Sequence, residues 1–119
     1  MIFFAHGSPV ETANQAVREV ARAAAARAGY ALWSEAFLEG GRPDLGAAVE
    51  ALAAAGARRI LVIPYFLTLG LHMQRDLPAL LAGLARRHAG VELLCGRPLD
   101  GHPALVEILA ERARERLGG

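Results

Sequence analysis

The chain has 119 residues, 54% apolar and 21% charged, with a formal net charge of +1. That is enough sequence for a single core and too apolar for disorder, and the charge balance provides no field to draw in nucleic acid. No apolar run reaches the roughly 20 residues of a membrane-spanning helix, and the lone Cys95 excludes an internal disulfide or a cysteine-based zinc site.

The first element is "MIFFA", a short apolar run read as a buried strand. No basic stretch precedes it, so it does not read as a signal segment, and a cytoplasmic chain is the default expectation. Residues 11–28 follow with a helical period at Ala13, Ala16, Val17, Val20, Ala21 and Ala24, closed by Gly29. Asn14 lies inside this helix, where its amide can support the preceding loop. "YALWSEAFLE" (30–39) alternates as a second strand that ends on Glu39. "GGRP" is a loop, and Asp44 is a good N-cap for a helix with Leu45, Ala48, Val49 and Leu52 on one face.

"RRILVIPYF" (58–66) is a nearly continuous apolar run, as expected of a parallel strand covered on both faces. A loop over 67–75 comes next, and Asp76 is expected to cap a third helix that tolerates Pro78 in its first turn. "VELLC" (91–95) is the fourth strand, which makes Cys95 a buried, inert thiol. Pro103 can open the last helix, with Leu105, Ile108, Leu109 and Leu117 facing the core. His88, near a helix end, and His102, before Pro103, read as structural.

Strand and helix alternate four times with no linker or repeat. The expectation is one α/β domain over residues 1–119. Its four-stranded parallel sheet would have the order 2-1-3-4, flanked by helices on both faces. In such a sheet the chain turns opposite ways after strands 1 and 3, and ligands bind in the crevice above their carboxyl ends. His6 follows strand 1 and His72 lies in the loop after strand 3. Two imidazoles there form a candidate site for a divalent metal such as Co, Ni, Fe or Zn. Taken singly, each histidine is as readily a hydrogen-bonded side chain at a strand end. Glu39 is placed to be a third ligand or a proton acceptor. Gly7 and Ser8 can form a tight turn, and Gly70 can let the backbone bend before His72. All thirteen basic residues are arginine, a side chain suited to bidentate carboxylate binding. Arg42, Arg75 and Arg97 fall in loops on the expected ligand side. A compositional bias accounts for the arginines equally well.

"HGS" after the first strand, "FLE" after the second, and "VIPYFLTLGLHMQRDLP" around the third together resemble the short sirohydrochlorin chelatases, as does the closing "GRPLDGHPALVEIL". These are class II chelatases of the cobaltochelatase type, related to the siroheme ferrochelatases. The resemblance covers nearly the whole chain. It implies insertion of Co²⁺, Fe²⁺ or Ni²⁺, as substrate and with no permanent cofactor, into sirohydrochlorin or a related tetrapyrrole in cobalamin or siroheme synthesis. It makes His6 and His72 metal ligands or proton acceptors and Glu39 the acidic partner. Ser8, Gly70, Arg42 and Arg75 would stand on the tetrapyrrole side. The single-lobe length implies a homodimer. One departure is Pro9, where the family often carries a basic residue. A non-catalytic protein that binds and delivers metal or tetrapyrrole is the alternative. A histidine phosphatase would need an arginine where Ala5 stands, and no G-x-S-x-G elbow supports an α/β-hydrolase.

Overall fold

A computed structural model describes residues 1–118. The elements are β1 (Ile2–Ala5), α1 (Glu11–Ala28), β2 (Ser34–Phe37) and α2 (Leu45–Ala54), then β3 (Arg59–Tyr65), α3 (Leu71–Arg87), β4 (Glu92–Cys95) and α4 (Ala104–Leu117). All strand pairs are parallel and the order is β2-β1-β3-β4, as expected from the alternation and right-handed crossovers. No helix among the described residues is long and apolar enough to cross a membrane.

The two faces of the sheet are unequally filled. β3 shows why, because its side chains alternate: Ile60, Val62 and Pro64 are buried, while Leu61, Ile63 and Tyr65 are only half-buried. On the first face, Ile2, Phe4, Ile60 and Val62 pack with Leu45, Val49 and Leu52 of α2 and with Leu77, Leu81 and Leu84 of α3. The opposite face has a smaller core, Phe3 against Ala21 and Ala25 of α1, with Trp33 and Ile63 at its edge.

Several elements differ from their sequence-based limits. β2 starts at Ser34 rather than residue 30, and Tyr30 and Leu32 are exposed. A parallel strand needs a neighbour, and the register begins at Ile2 opposite Ser34. In α1 the buried positions are Asn14, Ala21 and Ala25, so the inward stripe is rotated from Ala13 and Ala16, which face solvent. Asp44 caps α2 as expected, its carboxylate accepting from the Ala47 N–H at 2.8 Å.

α3 begins five residues earlier than its expected Asp76 cap. Gln74 N–H donates to Gly70 O at 3.0 Å and closes the first turn there. Asp76 is therefore an exposed interior residue, and Pro78 lies inside the helix. The carbonyl deprived of its Pro78 partner belongs to Gln74, which is exposed and can turn to water. Cys95 is exposed on the edge strand and not buried. The desolvation that remains there pushes its thiol pKa up. The largest departure is α4, none of whose residues is buried: Leu109 and Leu117, expected in the core, are 70% and 84% exposed.

Candidate functional site

At the carboxyl edge of the sheet the β1–β2 ladder runs two residues beyond its strands. Leu38 N–H donates to Ala5 O at 2.9 Å, and Glu39 N–H donates to His6 O at 3.0 Å. Backbone pairing thus sets His6 beside Glu39. Their side chains meet: His6 Nε2 lies 3.5 Å from Glu39 Oε1, with the side chains 61% and 69% exposed. The His6 ring also stands edge-on to Phe66, centroids 6.3 Å apart, and Phe66 in turn packs on the main core.

The polarity of this pair has a chemical consequence. His6 Nδ1 lies 3.3 Å from Gly7 O, and a carbonyl only accepts, so Nδ1–H donates. That tautomer leaves the lone pair on Nε2, facing the carboxylate. Two acceptors so placed attract each other through a shared cation, either a proton on Nε2 or a metal ion. Ligand bonds of about 2.1 Å at a tetrahedral angle put two donor atoms about 3.4 Å apart. The observed separation fits that bite.

Asn14 anchors the loops that carry the pair. It is 1% exposed. Its Oδ1 accepts from Ser8 N–H at 2.9 Å, and its Nδ2 donates to Ser8 O at 2.8 Å and to Gly40 O at 2.9 Å. One buried amide therefore ties the loop after β1 to the loop after β2. Gly7 and Gly40 make that approach possible at φ +89° and +68°, and a Cβ on Gly40 would stand 2.8 Å from Ser8 C. Asn14→Ala leaves the Ser8 and Gly40 groups unpaired and is expected to cost about 2–4 kcal/mol. Urea unfolding measures this, and a loss well under 1 kcal/mol would remove Asn14 from its anchoring role.

Arg18 braces the same loop from outside. Its guanidinium pairs with Glu11 and Glu35, donates to Arg42 O at 3.2 Å, and lies 5.3 Å from the centre of the Phe37 ring. The hydrogen bond from Arg18, and then that from Asn14, holds the Glu11 carboxyl below its usual range. The roles of Gly40 and Arg18 are not legible in the sequence alone. The paired glycines directly after "FLE" were the one available signal.

The remaining candidates are dispersed. His72 is the second residue of α3 and exposed, not a loop residue. It does not join His6 and Glu39 in a three-donor group, since among the described residues no three His, Cys, Asp or Glu side chains come together around a metal position. Gly70 has an ordinary extended backbone, φ −65° and ψ 166°, and nothing would crowd a Cβ there, so no conformational need requires glycine. Arg75 is on α3 and exposed, not in a loop. Arg42 lines a concavity of about 950 Å³ with Glu11, Arg18 and Asp44, and neither His6 nor Glu39 borders it. Arg97 lines a separate hollow of about 360 Å³. Ser8 Oγ accepts from Val10 N–H at 3.0 Å and shapes its own turn. His102 Nδ1 accepts from Ala104 N–H at 3.0 Å at the start of α4, a structural role as expected.

Known proteins resemble this chain in sequence and fold. The chain is 29% identical over 98% of its length to the chloroplastic sirohydrochlorin ferrochelatase of Arabidopsis thaliana, spanning 52% of that protein. It is 27% identical to the sirohydrochlorin cobaltochelatase of Methanopyrus kandleri, covering 99% of this chain and 96% of that one. The sirohydrochlorin chelatase SirB of Bacillus subtilis subspecies spizizenii, in complex with cobalt, superposes with a TM-score of 0.88 at 25% identity. That match covers 96% of this chain and 49% of SirB. The chain thus spans about half the length of some relatives and nearly all of others. The CbiX family profile matches residues 1–116, and with it the chain belongs to the CbiX family.

Proposed function

We propose that this chain inserts a divalent metal ion, Co²⁺ or Fe²⁺, into sirohydrochlorin, acting as a metal chelatase. The observation that carries the reading is the His6–Glu39 pair, whose facing acceptors 3.5 Å apart suit a shared cation. It is exposed at the carboxyl edge of a CbiX-family sheet. The named relatives, ferrochelatase and cobaltochelatase, support the choice of substrate.

Metal is substrate here, so a site that holds it must also release it. Two open donors in one chain bind more weakly than the closed four-ligand shell of a structural site. His6 Nε2 and Glu39 Oε1 hold the ion, and once it has passed to the macrocycle their freed lone pairs can accept the protons that the pyrrole nitrogens release. His72, on the first turn of α3, supplies a further imidazole toward the macrocycle. The arginines Arg42 and Arg75, with Ser8 and Gly70 in the neighbouring turns, face its peripheral carboxylates. A macrocycle of this size needs a cleft of roughly 300–1,000 Å³, which two copies facing each other provide. We therefore read the working unit as a homodimer. Membranes and nucleic acids play no part in this reading, and the setting is cytoplasmic.

A turnover assay tests it. Purified protein mixed with sirohydrochlorin and Co²⁺, Fe²⁺ or Ni²⁺ in turn is followed by the change in macrocycle absorbance. Many product molecules per chain are expected with at least one metal. Tight stoichiometric binding without turnover would instead identify a delivery protein.

A further inference from the structure

The separation of His6 and Glu39 suits one shared cation, yet burial holds neither side chain in place: they are 61% and 69% exposed. An exposed imidazole has three staggered wells at χ1 and two broad ones at χ2, about six orientations in all. Only some of these present Nε2 to Glu39. The hydrogen bond from Nδ1–H to Gly7 O is long, 3.3 Å, and is made to the next residue of the same loop. It restrains the ring weakly. A firmer contact has to select the orientation.

The sheet supplies that contact from the other side. β1 lies between β2 and β3, and the β1–β3 register ends with Ala5 opposite Tyr65. Continued by one residue, it sets His6 beside Phe66, just as the continued β1–β2 ladder sets His6 beside Glu39. The imidazole thus stands between a carboxylate on the β2 side and an aromatic ring on the β3 side. The His6 and Phe66 rings lie 6.3 Å apart at 81°, an edge-to-face arrangement that aromatic quadrupoles favour.

Phe66 is itself fixed twice. Its ring meets the Phe4 ring edge-on, centroids 5.8 Å apart at 67°, and Phe4 is only 1% exposed. Its carbonyl accepts from Leu99 N–H at 2.9 Å, which ties it to the loop after β4. Contacts therefore run from the core through Phe4 and Phe66 to His6. A functional side chain keeps a productive angle when its neighbour's own rotamer is locked by packing. Phe66 meets that condition.

We infer that Phe66 is a positioning residue for metal insertion: its ring, braced by Phe4, holds the His6 imidazole with Nε2 toward Glu39. This rests on the metal-chelatase reading above and adds the group that orients its histidine. Phe66 touches no reacting atom in this role. It raises the fraction of chains in which both acceptors face one cation, and so acts on turnover rather than on tetrapyrrole binding.

Two variants of the full chain test the inference. Phe66→Leu keeps apolar bulk and removes the ring, whereas Phe66→Tyr keeps the ring. Once His6 samples about six orientations, kcat for Co²⁺ insertion into sirohydrochlorin should fall about 3- to 10-fold in Phe66→Leu. KM for sirohydrochlorin should stay within about twofold, and Phe66→Tyr should recover about half of the wild-type kcat or more. Wild-type kcat in Phe66→Leu overturns the inference. So does a raised KM at unchanged kcat, which would place Phe66 against the macrocycle. NMR of the metal-free wild type gives a readout that needs neither activity nor a variant. Cross-peaks between the His6 and Phe66 ring protons are expected, with ¹⁵N shifts of a single Nδ1–H tautomer. In Phe66→Leu those shifts should move toward a tautomer average. Missing cross-peaks, or His6 shifts that ignore the loss of the ring, overturn the inference. A wild type that gives these signals but inserts no metal overturns the chelatase reading and supports the orientation of His6 by Phe66.

Discussion

Replacing both His6 and His72 with alanine is expected to leave a folded chain whose metal insertion falls by about 10²–10⁴-fold, the usual contribution of a positioned acid–base group. The fold should survive because both side chains are exposed, and surface substitutions away from special contacts cost within about 0.5 kcal/mol. The single variants divide the effect. His6→Ala removes the Nε2 lone pair facing Glu39, and Glu39→Gln removes the carboxylate charge while keeping its shape. If the pair acts as one bidentate holder, those two variants lose activity to a similar extent, and combining them adds little. Insertion is followed by absorbance with Co²⁺ and Fe²⁺, and circular dichroism confirms the fold. A double histidine variant with full activity would remove both imidazoles from the mechanism.

Gly7→Ala should be far more damaging than its size suggests. An added Cβ would lie 1.6 Å from Glu39 O, at a backbone φ of +89°. Backbone cannot swing aside as a flexible side chain can, so either the β1 loop or the β2 loop must move. The left-handed conformation alone costs a non-glycine residue roughly 1–2 kcal/mol. With the clash, the expected loss is about 3–4 kcal/mol or more, or roughly 10 °C or more in Tm. Gly29→Ala is the control: its φ is similar, +82°, but nothing lies within 4 Å of the added carbon. It should cost only about 1 kcal/mol. Equal Tm values for the two variants would show that the loops do not pack as closely as described. If Gly7→Ala instead stays folded by shifting the loop, Glu39 moves off His6 and insertion falls without loss of stability.

The contrast between these glycines illustrates how the candidate site was encoded. That His6 follows a buried strand was legible, because "MIFFA" is short and wholly apolar. That Glu39 stands beside it followed from the strand order, since β2 is the neighbour of β1. The amide of Asn14 was legible only as a supporting group. Its three partners at Ser8 and Gly40 depend on two loops separated by most of α1 and β2. His72 was placed at the correct edge but in the wrong local structure. Asp76 is a good capping residue, yet the chain closes its first helical turn at Gly70, where the short connection from β3 ends.

The sequence by itself determined the four strands, the parallel order and the carboxyl edge of the sheet where His6 and Glu39 meet. Alternating apolar runs and amphipathic segments leave few ways to cover a sheet with right-handed crossovers. Only the tertiary structure decided where β2 begins, which face of α1 turns inward, and that α4 stands clear of its own sheet. The physical reason is common to all three. A periodic pattern states which side of a segment avoids water, but it does not state which surface will cover that side. For β2 the limit came from the length of β1, and for α1 from the buried Asn14 amide. For α4 the apolar residues Leu105, Ile108, Leu109 and Leu117 were readable, but their placement was not: the spacing predicts a buried face, and no residue of the helix is buried.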